Sequence, residues 1–199
     1  MGSNSQKEIF LFAGPNGSGK STIVNEFMLE EKCPAYYICP DNNLDEKLKN
    51  NKEIYIKAMQ LAELQRYRAV AESKSFSFES VFSTFEKLDF LRFVKTQGYI
   101  ITAIYIVTQN PKINIRRIQE RVLHGGHDVP RNKIVSRYYK SLKLVCDCMN
   151  VADNFFLFDN SEEKPAKPQL VLEKHKSLIK VNPEYNNLGW LKKYLKKIL

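Results

Sequence analysis

The sequence predicts a layered α/β fold around a central parallel sheet of about five strands, and three observations support this. Apolar segments typical of strands alternate along the chain with longer segments of helical periodicity. Residues 99–107 (YIITAIYIV) are almost continuously apolar, as expected of a strand that is buried on both faces. A glycine-rich loop, residues 14–21, connects the first predicted strand directly to a helix.

The predicted elements follow one another in a regular order. The predicted strands are residues 8–13 (EIFLFA), 36–39 (YYIC), 75–83, 99–107 and 155–158. The third strand alternates in polarity and is rich in Phe, which suits a strand. The predicted helices are residues 22–29, 43–73, 85–97, 111–123 and 130–150. Gly98 ends the third helix, and Pro111 and Pro130 begin the last two, because proline fits the first turn of a helix.

The C-terminal residues 161–199 do not continue the alternation of predicted strands and helices. Residues 161–168 form a polar, proline-bearing connection, and 170–172 with 178–181 predict a small hairpin. Residues 188–199 predict an amphipathic helix whose polar side carries Lys192, Lys193, Lys196 and Lys197. We expect this helix to pack back on the domain with its lysines in solvent; contact with a membrane surface or nucleic acid is the alternative. The chain, residues 1–199, is thus predicted to be one domain with a C-terminal extension.

Composition excludes several classes of protein. The chain has 199 residues, of which 43% are hydrophobic and 27% charged, so wholesale disorder is excluded. No apolar run reaches the 18 or so residues that a membrane-spanning helix needs. The four cysteines show no paired CxxC spacing, which argues against a zinc site or a disulfide framework and favours the reducing cytoplasm.

The positive charge is concentrated in one segment. The net charge is +9, yet residues 1–99 carry 13 basic and 13 acidic side chains. Residues 112–143 carry 9 basic and only 2 acidic side chains. This distribution indicates a local anion site more than a diffusely basic surface for nucleic acid.

The glycine-rich loop carries the strongest functional signal. It reads GPNGSGKS and matches the phosphate-binding pattern GxxxxGK[ST], between a predicted strand and a helix. Its glycines let backbone N–H groups turn onto phosphate oxygens, Lys20 can reach the β- and γ-phosphates, and the Ser21 hydroxyl can hold Mg²⁺. The predicted nucleotide-binding residues are Gly14, Pro15, Asn16, Gly17, Ser18, Gly19, Lys20, Ser21 and Thr22.

Missing motifs narrow the class of nucleotide-binding protein. The sequence has no NKxD guanine motif, no LSGGQ transporter signature and no strand that ends in a conventional acidic pair. These absences argue against GTPases, transporters and motors. They favour a small phosphotransferase, in which an acceptor hydroxyl replaces the attacking water.

Two acidic residues are candidates for the chemistry. Asp41 follows the second strand, so its carboxylate is placed to accept a proton from the acceptor hydroxyl or to help hold Mg²⁺; capping the following helix is an equal alternative. Glu79 lies among strand aromatics, where a lone acid needs a partner: a substrate or metal contact, or an arginine. Ser83 and Thr84 follow as candidate substrate-binding hydroxyls.

The basic segment 112–143 predicts a lid. Two predicted helices that carry Arg121 and Arg137, joined at Gly125 and Gly126, can close over ATP and exclude water. A solvated basic hairpin is the alternative. The other cations are Arg116, Arg117, Arg131, Lys133 and Lys140. His124 and His127 are expected to form hydrogen bonds in the connecting loop.

Three motifs resemble the zeta toxin family of P-loop kinases, in particular its short bacterial members. They are GPNGSGKST (residues 14–22), FSFESVFS (residues 76–83) and RVLHGGHDVPRNKIVSRYYKSL (residues 121–142), and with Pro40-Asp41 they span roughly residues 8–160. The resemblance implies a three-layer P-loop kinase fold with a central parallel sheet, a helical lid, and a small C-terminal hairpin and helix. It also implies ATP and Mg²⁺ as cofactors and an antitoxin protein as a possible partner.

The resemblance further implies residue roles and a substrate. Lys20 corresponds to the phosphate-loop lysine, Asp41 to the catalytic base and Glu79 to the substrate-binding acid. Arg121 and Arg137 correspond to the phosphate-binding arginines, with Arg117 or Arg131 as substitutes. Characterised zeta toxins phosphorylate UDP-N-acetylglucosamine, which is therefore the expected acceptor. A nucleic-acid end kinase, or an ATP-binding interaction module of a toxin–antitoxin pair, is the alternative function.

Overall fold

A computed structural model describes residues 6–44, 51–162, 167–184 and 189–195. Seven strands form one sheet at its centre. They are β1 (Glu8–Ala13), β2 (Tyr37–Ile38), β3 (Phe76–Ser80), β4 (Ile100–Val107), β5 (Asn154–Asp159), β6 (Gln169–His175) and β7 (Leu178–Val181). Their order is β2-β3-β1-β4-β5-β6-β7. The first five are parallel, as predicted, and the predicted hairpin, β6 and β7, extends the same sheet in antiparallel fashion.

The helices lie between and beside the strands. They are α1 (Lys20–Leu29), a 3₁₀ helix (Pro40–Asn43), α2 (Lys52–Ala71), α3 (Phe85–Thr96), α4 (Pro111–Leu123), α5 (Arg131–Lys143), α6 (Val145–Val151) and α7 (Lys192–Leu195). The predicted helix 130–150 is therefore two helices, which are separated at Leu144. The predicted helix 43–73 starts late: the Asn51 side chain caps α2 by accepting from the N–H groups of Glu53 and Ile54. Residues 45–50 of that prediction lie outside the described residues.

Strand β3 is shorter than the predicted strand 75–83. It ends at Ser80, and the Ser80 hydroxyl accepts a hydrogen bond from the N–H of Phe82. Phe82 has a φ of 50°, in the left-handed region, which is incompatible with a continuing strand. The chain therefore turns at Phe82 and enters α3 at Phe85.

The sheet is covered by apolar side chains on both faces. Strand β4 is the clearest case, since seven of its eight residues are buried. On one face Tyr105 belongs to a large core with side chains of α2, α3 and α6, and on the other Ile104 and Ile106 pack with Ile23 and Val24 of α1. The predicted three-layer arrangement is thus confirmed.

The lid and the C-terminal extension each have apolar anchors. In the lid, Ile118 of α4 packs with Val129 and Ile134. In the extension, Leu191 and Leu195 are buried in the large core while Lys192 and Lys193 are exposed, so this part packs back on the domain as predicted. Lys196 and Lys197 lie outside the described residues. Among the helices that the structure describes, none has the length and apolarity to span a bilayer.

Candidate active site

The glycine-rich loop lies at the carboxyl edge of the parallel strands, between β1 and α1. The N–H of Gly14 donates to the carbonyl of Ser80 at the end of β3 (3.2 Å), and the N–H of Ser18 donates to the Pro15 carbonyl (3.2 Å). Within the described part of the chain, the buried Ser18 hydroxyl has no hydrogen-bond partner. The loop is thus folded and anchored, and one polar atom inside it is available to a ligand.

Lys20 is buried at the start of α1 and folds back over the loop. Its Nζ donates to the carbonyl oxygens of Gly14 (2.8 Å) and Pro15 (3.1 Å). Burial lowers the pKa of Lys20 to about 8; the nearby Glu79 carboxylate opposes that shift, and Arg121 adds to it. The ammonium group is therefore poorly solvated, and an anion placed beside it would stabilise its charge.

Glu79 lies at the end of β3, next to Phe12 of the strand that leads into the loop. One carboxylate oxygen accepts from the Ser21 hydroxyl (3.3 Å), and the other accepts from the Tyr37 hydroxyl. Of the two explanations that the sequence left open, the described contacts contradict pairing with an arginine. Burial, then the carboxylate, raises the pKa of Tyr37 well above its usual range, so Tyr37 is a neutral donor.

The oxygens of Ser21 and Glu79 are hard donors that suit Mg²⁺. No group of three or more His, Cys, Asp or Glu side chains that could hold a metal occurs among the described residues. Mg²⁺ characteristically binds one or two protein oxygens and completes its octahedron with phosphates and water. The donor set therefore fits a metal that arrives with a nucleotide better than a metal bound by the protein alone.

Asp41 is exposed in the 3₁₀ helix that follows β2. The proposed capping role is wrong, because Asn51 caps α2 and Cys39 occupies the N-cap position of the 3₁₀ helix. Asp41 influences Tyr55 of α2 instead: after burial, the charge of Asp41 is the next contribution that raises the pKa of Tyr55.

Tyr55 on α2 was missed by the sequence analysis. Its ring stacks on the His127 ring of the lid loop, with centroids 4.4 Å apart and an angle of 13°. The pKa of Tyr55 is raised to about 12, mainly by burial and next by the charge of Asp41, while Arg121 and Arg137 oppose the shift. Its phenol therefore lies within electrostatic reach of the candidate base and of both lid arginines. The sequence gives no signal for this, because Tyr55 fits an ordinary amphipathic helix.

The lid arginines are placed differently from one another. Arg121, in the last turn of α4, is exposed and donates from Nη2 to the His127 carbonyl. Arg137 on α5 is half-buried, and its Nη1 lies 3.5 Å from the Asn16 side-chain oxygen in the phosphate loop. Arg117 instead donates to the carbonyls of Asn160 and Glu162, each at 2.8 Å. The structure thus places Arg137 next to the phosphate loop and Arg121 against the lid loop, and turns Arg117 toward the segment after β5.

The connection between the lid helices is a closed turn. The N–H groups of Gly125 and Gly126 donate to the carbonyls of Val122 (3.0 Å) and Arg121 (2.9 Å), which ends α4. His124 forms its ring hydrogen bond with the Glu120 carbonyl (2.7 Å), as the loop interpretation predicted. The pair of glycines therefore ends α4 and joins the two lid helices at the predicted position.

Ser83 and Thr84 do not end a strand. Because β3 stops at Ser80, Ser83 lies in the following loop and Thr84 is the exposed N-cap residue of α3. That part of the expectation is wrong. A substrate contact of Ser83 stays a prediction.

The fold and the loop define the class of protein. A glycine-rich loop that follows the middle strand of a β2-β3-β1-β4-β5 parallel sheet, with helices on both faces, is the architecture of P-loop kinases. No known family profile matches the chain. An uncharacterized protein of Haemophilus influenzae is 26% identical over 135 residues, which cover 67% of this chain and 94% of that protein.

Solved structures identify the fold more closely. The complex of AvrRxo1-ORF1 and AvrRxo1-ORF2 with ATP contains a similar chain, with a TM-score of 0.73 and 12% identity, covering 98% of this chain and 65% of that one. Our chain thus spans a little under two thirds of that protein. A chain of the PezAT chromosomal toxin-antitoxin system of Streptococcus pneumoniae has a TM-score of 0.61 and 15% identity, covering 97% of this chain and 80% of that one. The zeta-toxin-like P-loop kinase fold is confirmed.

Proposed function

We propose that the protein is a kinase that uses ATP and Mg²⁺ to phosphorylate a hydroxyl group of a small molecule. The observation that carries the proposal is the contact of the lid with the phosphate loop, where Arg137 Nη1 lies 3.5 Å from the Asn16 side-chain oxygen. The exposed Asp41 follows β2 at the same edge of the parallel sheet. A base for the acceptor and cations for the transferred group are the two things that phosphoryl transfer requires.

The loop and Lys20 bind the nucleotide phosphates in this proposal. The ammonium leaves the carbonyls of Gly14 and Pro15 and binds the β- and γ-phosphates, while loop N–H groups hold the β-phosphate. Ser21 and Glu79 would hold Mg²⁺, which would supply positive charge to the phosphate oxygens. The presence of ATP in the AvrRxo1-ORF1 and AvrRxo1-ORF2 complex supports this assignment.

Asp41 accepts the proton of the acceptor hydroxyl as its oxygen attacks the γ-phosphorus. A new oxygen–phosphorus bond forms, and the bond to the bridging oxygen of the β-phosphate breaks, which leaves ADP. Arg121 and Arg137 stabilise the charge on the transferred group, because guanidinium groups donate paired hydrogen bonds to phosphate oxygens. Glu79 would help to hold the metal, in addition to any contact that it makes with the acceptor.

The chemical identity of the acceptor is a second part of the proposal. The described polar and aromatic groups of the candidate site include Tyr37, which donates to Glu79, and the stacked rings of Tyr55 and His127, and they suit an acceptor with both polar and flat surfaces. UDP-N-acetylglucosamine, which the family resemblance implies, is the first acceptor to test. The likeness to a chain of a toxin-antitoxin system supports an antitoxin as the protein partner.

A mass-spectrometric transfer assay tests the function. Purified protein is incubated with Mg-ATP and a panel of nucleotide sugars, nucleosides and short oligonucleotides, with Lys20→Ala as the inactive control and Lys57→Ala, an exposed lysine of α2, as the matched active one. We expect one small-molecule acceptor to gain about 80 Da, the mass of one transferred HPO₃ group. Phosphate on oligonucleotides alone favours the end kinase. Tight ATP binding with no product across the panel favours the ATP-binding interaction module.

A further inference from the structure

Two side-chain amides hold the phosphate loop from outside it. Asn114 of α4 is completely buried, and its Nδ2 donates to the Asn16 carbonyl at 2.6 Å. Asn160, directly after β5, donates from Nδ2 to the Ser18 carbonyl at 2.8 Å. The two anchored carbonyls are two residues apart in the loop. A buried amide on a backbone carbonyl is a strong constraint, because leaving either group unpaired would destabilise the fold.

Both amides are themselves fixed in place. The Asn114 side-chain oxygen accepts from the Thr108 hydroxyl at the end of β4. The Asn160 backbone donates to the Val107 carbonyl (2.8 Å) and accepts from Arg117 Nη1 (2.8 Å). The loop is therefore tied to the ends of β4 and β5 and to the lid helix α4 through the same two residues.

The glycine spacing of the motif matches this arrangement. A Cβ on Gly17 would lie 2.6 Å from the Asn114 carbonyl oxygen, and a Cβ on Gly19 would lie 2.3 Å from Asn160 Nδ2. Any side chain at these positions would displace the helix or the amide. Gly17 and Gly19 thus leave room for the two asparagines as well as for phosphate.

The anchored carbonyls determine where the neighbouring N–H groups point. In a trans peptide the C=O and N–H bonds point in opposite directions. Because the carbonyls of Asn16 and Ser18 face the amides, the N–H groups of Gly17 and Gly19 face the opposite side of the loop. Successive N–H groups on one concave side form an anion-binding nest.

We propose that Asn114 and Asn160 are positioning residues that hold the loop in its phosphate-binding conformation and connect it to the lid. The proposal rests on the proposed function, since it takes a nucleotide phosphate as the ligand of the loop. Arg137 reinforces the connection from α5, through its contact with the Asn16 side chain. The phosphate loop, helix α4 of the lid and the end of β5 then respond to a bound phosphate as one unit.

Conservative substitutions test the role of the amides. Asn114→Asp and Asn160→Asp keep the side-chain shape but place an oxygen against a carbonyl oxygen. Asn160→Ala is the second variant in case a buried carboxylate prevents folding, because Asn160 is only partly buried. Asn182→Asp is the matched control: its Nδ2 donates to the Leu170 carbonyl (2.8 Å) in the hairpin, away from the loop.

Calorimetric titrations with ADP and with AMP provide the readout, because only ADP carries a β-phosphate. We expect the variants of Asn114 and Asn160 to weaken ADP binding by about tenfold while AMP binding changes by less than about threefold. Asn182→Asp should lower the melting temperature and leave both affinities unchanged. Folded variants of Asn114 and Asn160 that bind ADP like the wild type would overturn the proposal.

The wild-type titration separates this proposal from the proposed function. A wild-type protein that binds ADP but phosphorylates no acceptor contradicts the kinase assignment, and the comparison of variants still decides the role of the amides. A wild-type protein that binds no ADP contradicts both.

Discussion

The nucleotide side and the acceptor side of the candidate site are built in different ways. On the nucleotide side, Ser18, Lys20 and Asn114 are buried, and the loop carbonyls are held by hydrogen bonds to side chains of distant elements. On the acceptor side, Asp41 and Arg121 are exposed. Under the proposed function, the fold therefore preorganises the phosphate site, whereas the exposed groups of the acceptor side are enclosed only when the acceptor binds.

A stacked pair of rings connects α2 to the lid on the acceptor side. Tyr55 of α2 contacts His127 of the lid loop, and the His127 carbonyl accepts from Arg121. Asp41 raises the pKa of the Tyr55 phenol, and the two lid arginines lower it. We therefore expect substitutions on the nucleotide side to change nucleotide affinity, and those on the acceptor side to change rate and acceptor KM.

The largest effect on catalytic rate is expected from substitution of the two lid arginines. Arg121→Ala or Arg137→Ala should lower kcat about a thousandfold, because each removes a cation from the transferred phosphoryl group. The ADP affinity of Arg121→Ala should stay within about threefold of wild type. Steady-state kinetics and calorimetry measure the two quantities. Arg116→Ala is the control, since Arg116 lies on the same helix and pairs with Glu120 (3.7 Å); an equal loss in that variant would indicate a general charge effect.

The next largest effect is the pH dependence of nucleotide affinity, which involves only the nucleotide side. The pKa of Lys20 is lowered to about 8 by burial, and a bound phosphate favours the ammonium and raises that pKa. Below pH 8 the lysine is already protonated, so affinity should be flat; above it, binding must take up a proton and affinity should fall by up to about tenfold per pH unit. ADP titrations in EDTA from pH 7 to 10 would measure this, because EDTA removes divalent metal. Lys20→Arg should flatten the curve, and an unchanged slope in that variant would assign the proton to another group.

Substitution of Tyr55 is expected to have the smallest of these effects, and it tests directly whether the two sides are independent. Tyr55→Leu, which removes the stack on His127 and the phenol, should raise the acceptor KM by about tenfold, since α2 loses its contact with the lid loop on the acceptor side. Tyr55→Phe keeps the ring and should raise it by about threefold. Neither should alter ADP affinity. A change in ADP affinity as large as the change in acceptor KM would show that the two sides are not separable.

The parts of the structure that the sequence predicted well are those encoded locally. Strand 8–13 and helix 111–123 have the predicted bounds, and the phosphate loop lies between β1 and α1 as predicted, although α1 begins at Lys20, two residues earlier than expected. Apolar periodicity, Pro111 and the glycine spacing all act within a few residues. The break at Leu144 and the end of β3 at Ser80 were missed. Both depend on packing and on a left-handed φ at Phe82, for which a Phe-rich segment gives no signal.

The residues of the candidate site also fall into those that the sequence predicted and those that it did not. Lys20 and Ser21 are part of a motif, and Glu79 was singled out because an acid among aromatics needs a partner. Its partner, Tyr37, lies 42 residues away in the chain and was not foreseen. Asn114 was also missed: its loop contact is 98 residues distant, and a buried asparagine in a basic helix looks like an ordinary polar residue.

The most direct test of whether the nucleotide side and the acceptor side have separate roles compares two variants, each with two measurements. Lys20→Ala and Asp41→Asn are each measured for Mg-ATP binding by calorimetry and for phosphoryl transfer by mass spectrometry. Asp89→Asn, an exposed acid that pairs with Arg92 on α3, serves as the control. We predict that Lys20→Ala loses binding and transfer together, while Asp41→Asn binds Mg-ATP like the wild type and transfers at least about a hundredfold more slowly. Full transfer by Asp41→Asn, or unchanged Mg-ATP binding by Lys20→Ala, would contradict the account.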